Sequence, residues 1–146
     1  MNHRIIAFLF FVCSLLTIFL GYSLLWHPEY LGLCSPGDDC LGEYTIFGIA
    51  KPLYWGTQWL PVFLLGLIFV RREVFWSWLK FIIIPALLAF WFVAASLPLN
   101  NGFFAGPFPD RTQATAMMTH ALVIVSVIYI VLKYIALYRR EHPRTK

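Results

Sequence analysis

Four apolar runs punctuate the chain, each bounded by charged, aromatic or turn-forming residues. They cover 5–26, 53–70, 81–97 and 114–138. None alternates with the two-residue period of a half-buried strand. Their lengths approach the roughly 20 residues that an α-helix needs to cross a hydrocarbon core. The pattern predicts an all-α fold: a four-helix integral membrane bundle forming one domain over 1–146.

Pro52 stands where it can open the second span at little cost, since the first N–H groups of a helix lack intrahelical partners anyway. Pro61 and Pro85 fall inside spans two and three, so each is expected to kink its helix. Trp76 to Lys80 form an interfacial lead-in to span three. Asp110 or Thr112 is placed to cap span four.

Between the spans lie two loops on one side, 27–51 and 98–113, rich in Gly, Pro and Asn and expected to be irregular. The opposite side has an Arg71-Arg72-Glu73 turn and two short tails. That side collects Arg4, Arg71, Arg72, Lys80, Lys133, Arg139, Arg140, Arg144 and Lys146, against Lys51 and Arg111 on the other. The positive-inside rule puts the nine in the cytoplasm, so both termini are expected there. Aromatic residues repeat the division. Trp26, Tyr30, Tyr54, Trp55 and Trp59 gather at one interface, and Trp76, Trp78, Tyr134 and Tyr138 at the other.

Composition narrows the class. Of the 146 residues, 60% are hydrophobic and 12% charged, too few charges to clothe a water-facing surface. The net charge of +4 sits at span ends rather than along one soluble face, which argues against nucleic acid. The run 5–26 is longer than the apolar core of a signal peptide and no small-x-small site follows it, so it is expected to be a retained helix. The expected residence is a bacterial inner or plasma membrane, with lipid as the first partner. Small residues at helical spacing predict packing seams: Ser14, Thr17 and Gly21; Ala86, Ala89, Val93 and Ser96; Thr119, Val123, Ser126 and Ile130.

Few residues can carry chemistry. Cys34 and Cys40 bracket Ser-Pro-Gly-Asp-Asp in the first outer loop, where an oxidising compartment favours a disulfide. That loop resembles the membrane quinone-linked enzymes that reoxidise periplasmic thiol oxidases, four-helix proteins with cysteines in the first outer loop. The resemblance would imply a redox pair. Those enzymes carry Cys-x-x-Cys there and a second pair in the second loop. This chain has five residues between its two cysteines and none in the second loop. His27, Cys34, Cys40 and Asp38 or Asp39 match no zinc spacing, and no metal or cofactor is expected.

His120 is the one ionisable residue well inside a span, about 9–12 Å from its outer end, and Gln58 lies at similar depth on span two. A hydrogen bond from His120 to Gln58 or a backbone carbonyl is the plainer expectation; a proton path or a cofactor ligand is the alternative. No span contains Asp or Glu, and there is no nucleophile elbow, phosphate loop or metalloprotease motif. The leading expectation is a small polytopic accessory subunit or protector with a membrane or extracytoplasmic protein partner. In outline the chain resembles bacterial immunity proteins against pore-forming toxins. A thiol-redox enzyme using Cys34 and Cys40, and a channel or transporter with His120 in its path, are the alternatives.

Overall fold

The computed structural model describes residues 2–28, 43–96 and 110–142. It is all-α, with five helices among those residues: α1 (His3–Trp26), α2 (Glu43–Trp55), α3 (Leu60–Leu67), α4 (Arg72–Ala95) and α5 (Arg111–Glu141). Three of them, α1, α4 and α5, are long and apolar enough to cross a membrane. Cys34 and Cys40 lie outside the described residues, as does most of the second outer loop.

The helix ends follow local chemistry. Asn2 caps α1, its side-chain oxygen accepting from the Arg4 N–H at 3.3 Å. Asp110 caps α5 in the same manner, accepting from the Gln113 N–H at 2.7 Å. Arg139 and Arg140 occupy the last turn of α5, where exposed carbonyls favour cations. Pro85 is carried inside α4, whose helix continues to Ala95.

Two departures from the sequence pattern concern the second span. The segment 43–51, expected as irregular loop, is helical and belongs to α2. It is held by burial: Gly48, Ala50 and Pro52 are all buried, and small residues let this turn lie close to its neighbours. Pro52 therefore sits inside a helix rather than opening one. Span two is also not one helix, because 56–59 separates α2 from α3. Pro61, in the first turn of α3, has no N–H to give the Thr57 carbonyl, and its ring crowds that carbonyl. Leu60 N–H bonds Thr57 O at 3.0 Å instead, in the tighter three-residue register.

The helices form two antiparallel hairpins. Along α1, Gly21 meets Leu53 and Tyr54 of α2, while at its other end His3 Nε2 donates to Val70 O at 3.1 Å. The combined length of α2 and α3 thus runs beside α1, despite the break. In the second hairpin, Arg111 of α5 reaches the Ser96 carbonyl at 3.4 Å. Toward the other end Ser77 Oγ meets Tyr129 Oη at 2.6 Å, and the Arg71 N–H donates to Tyr134 Oη at 2.9 Å. The hairpins join through a core of Ile6, Ala7, Leu64, Leu67, Phe75 and Trp78 near the His3 end. Gly56, pressed on Thr115, joins them near the other.

Polarity is inverted relative to a water-soluble bundle. The surface carries Phe69 at 82% exposed, Phe90 at 73% and Trp91 at 71%, while Ser14, Thr119 and Ser126 are buried. Apolar solvent outside and small hydroxyl-bearing residues at the seams are what lipid demands of packed helices. Ser14 and Gly21, Ala89, and Thr119 with Ser126 occupy the seams where the spacing places them.

Candidate functional site

The break between α2 and α3 interrupts the helical backbone partway along the first hairpin. Its geometry follows from four residues. Gly56 N–H still bonds Pro52 O at 2.9 Å, finishing α2. A Cβ on Gly56 would come within 2.5 Å of both Pro52 O and Thr115 Cγ2, so only glycine allows the break to lie so close to α5. Thr57 Oγ1 donates to Leu53 O at 2.6 Å, closing one freed carbonyl with a side chain. The N–H groups of Thr57, Gln58 and Trp59 find no backbone acceptor among the described residues.

His120 faces this break from α5. Its Nδ1 is 2.6 Å from Ala116 O; a carbonyl only accepts, so Nδ1 carries the proton. In the neutral ring Nε2 is then an acceptor. The ring lies 6.5 Å from that of Trp59, centroid to centroid. Thr119, one residue earlier, is buried in the seam, whereas His120 is exposed on the outer surface. Gln58 is exposed as well, and among the described residues it has no hydrogen-bond partner. Trp59 and His120 therefore come together and Gln58 stands exposed beside Trp59 in the break, with the histidine's bond made to its own helix rather than to Gln58.

The result is a polar patch in an apolar surround. Val62 and Leu65 of α3, and Met117 and Ile124 of α5, are exposed on the flanking turns. Nine residues separate His120 from Arg111, about 13 Å along the helix.

Other polar groups are placed elsewhere. Cys13 is a free thiol exposed on α1. Among the described residues no three of His, Cys, Asp or Glu gather as metal ligands would. Arg71 pairs with Glu141 at 2.9 Å, both half exposed, and stands 6.0 Å from the Tyr134 ring centroid. The sequence pattern singled out His120 and Gln58 but not the open backbone beside them. Its signal was Gly56-Thr57 upstream of Pro61, two poor helix formers in the turn that a proline already weakens. No protein-family model, curated protein or solved structure matches this chain.

Proposed function

We propose that this chain is a four-crossing membrane protein with both termini in the cytoplasm, serving as an accessory or protector subunit. In this reading it docks a membrane helix of its partner against Gln58, Trp59 and His120. The crossing number is supported by the course of α2 and α3, which together accompany α1 from Gly21 to His3, about 27 Å. Orientation is supported by the nine basic residues on the side of His3 and Arg71.

The observation that carries the functional reading is the exposed patch itself. Non-helical backbone and ionisable side chains at membrane depth persist where protein or a water-filled cavity covers them. Here Gln58, Trp59 and His120 are exposed, with Thr119 rather than His120 toward the seam. A path through the bundle interior would want the opposite arrangement, so the outward placement favours a docked helix over conduction. Such a helix needs hydroxyl or amide groups to meet Nε2 and the Gln58 amide, each bond contributing about 0.6–1.7 kcal/mol.

A photoreactive amino acid at Met117, exposed one turn before His120, tests this in native membranes. A discrete protein adduct is expected, and it should fall when Gln58→Leu and His120→Leu remove the polar contacts. His120→Gln, which keeps a donor and an acceptor, should retain it. Adducts with lipid alone would refute the docking reading. Thiol titration and proton flux in liposomes address the redox and transport alternatives directly.

A further inference from the structure

At the other end of the molecule, α4 opens with a cluster unrelated to the break. A cleft of about 550 Å³ is lined by Arg72, Glu73, Trp76, Ser77 and Lys80. Arg72 and Lys80 are exposed and neither has an acidic partner among the described residues; Arg71, next in sequence, is the cation that Glu141 neutralises. Eight residues set Arg72 and Lys80 about 12 Å apart along the helix, with Trp76 midway.

The second hairpin helix completes the cluster. Tyr129 Oη lies 2.6 Å from Ser77 Oγ and 3.3 Å from Ser77 O. With the tyrosine proton given to Ser77 O, the shorter contact is the serine hydroxyl donating to Tyr129 Oη, so the two hydroxyls tie α4 to α5 beside the cleft. The Tyr129 ring is held between Phe81, stacked at 4.3 Å, and Lys133, whose Nζ is 5.9 Å from its centroid. Two cations, Arg72 and Lys80, therefore line a cleft whose single carboxylate, Glu73, stands at the helix N-terminus, where the backbone N–H groups offset its charge.

The same face continues into an apolar stripe. At 3.6 residues per turn, positions 72, 73, 76, 77 and 80 and then 83, 84, 87 and 91 fall within a sector of about 140°. Ile83, Ile84, Leu87 and Trp91 are 52%, 67%, 62% and 71% exposed. Two cations with an indole between them at the helix start, and bare hydrocarbon beyond, follow the order of headgroup and acyl chain.

We infer that Arg72 and Lys80 seat the phosphate of an anionic phospholipid, with its acyl chains along Ile83, Ile84 and Leu87. Lys133 strengthens the local field from α5. The site rests only on this end of α4 lying at a bilayer interface, so its failure leaves the docking reading at Gln58 and His120 untouched, and the converse holds.

The test counts lipids retained by the purified full-length protein. In a nonionic detergent it is offered phosphatidylglycerol or phosphatidylcholine of the same acyl chains, and native mass spectrometry reads occupancy. Wild type should prefer phosphatidylglycerol. Arg72→Gln with Lys80→Gln should weaken that retention about 30-fold, the effect of removing two interfacial cations. Arg139→Gln with Arg140→Gln removes equal charge from α5 and should change it less than twofold. Equal retention of both lipids, or equal loss in the α5 variant, overturns the site. Displacement of the lipid by millimolar inorganic phosphate would assign the cleft to a free anion and likewise overturn it. Should the α4 double variant not fold, Arg72→Gln and Lys80→Gln are read singly, and unchanged retention in both refutes the inference.

Discussion

Two glycines should respond to the same substitution with opposite signs. Gly21 is buried where α1 crosses α2, and a Cβ there would stand 2.7 Å from Tyr54 N and 3.0 Å from both the Leu53 carbonyl carbon and Leu53 Cβ. Two of the three obstacles are backbone, which cannot swing aside as a side-chain tip would. Gly21→Ala must therefore push the helices apart by roughly 0.5–1 Å, enough to forfeit a quarter to a half of each contact's attraction. The α1–α2 pair is among the most extensive in the molecule. Overpacking of this kind costs about 1–3 kcal/mol.

Gly66 is also helical, on α3, but a Cβ there would meet nothing within 4 Å. Gly66→Ala should stabilise by about 0.5–1 kcal/mol through reduced backbone entropy of the unfolded chain. The two variants should thus differ by roughly 1.5–4 kcal/mol, although the chemical change is identical. Thermal unfolding of both in one detergent, followed by tryptophan fluorescence, measures the difference. Gly21→Ala as stable as wild type, or Gly66→Ala equally damaged, would refute the reasoning that backbone approach sets the sign.

Three further outcomes are expected. A reporter active only in the cytoplasm should work when fused after Arg140 and fail when inserted near Asp38, because basic residues crowd one side; activity at Asp38 would reverse the orientation. Intact-mass alkylation without reductant should modify Cys13 alone, and three modified thiols would exclude a Cys34–Cys40 disulfide, whose short loop would contribute on the order of 2–3 kcal/mol. A double-mutant cycle of Ser77→Ala and Tyr129→Phe should return a coupling of about 0.6–1.7 kcal/mol for their 2.6 Å contact; a value near zero would show the hydroxyls to be independent.

The amino-acid sequence by itself determined the helical class, the extents of α1 and α5 to within a few residues, and a cap at Asp110 or Thr112, of which the structure uses Asp110. These depend on local properties: long apolar runs leave a chain in lipid little but helix, and a cap needs only residues three positions apart. It also marked Gly21, Ser14, Thr119 and Ser126 as seam residues, since small side chains at helical spacing allow close approach whatever the partner. Three things belonged to tertiary structure. The helix over 43–55 forms where Gly48, Ala50 and Pro52 find a surface to pack on, a gain that loop-like composition does not reveal. Pro61 signalled disturbance, but the difference between a kink and a break was settled by Gly56 lying against Thr115, a contact across 59 positions. His120 could be placed within a long apolar helix from its span, whereas its outward direction depends on which side of α5 the first hairpin covers. Rotation of a nearly all-apolar helix about its axis leaves almost no trace in its sequence, because lipid and neighbouring helices are similar solvents, and only packing chooses between them.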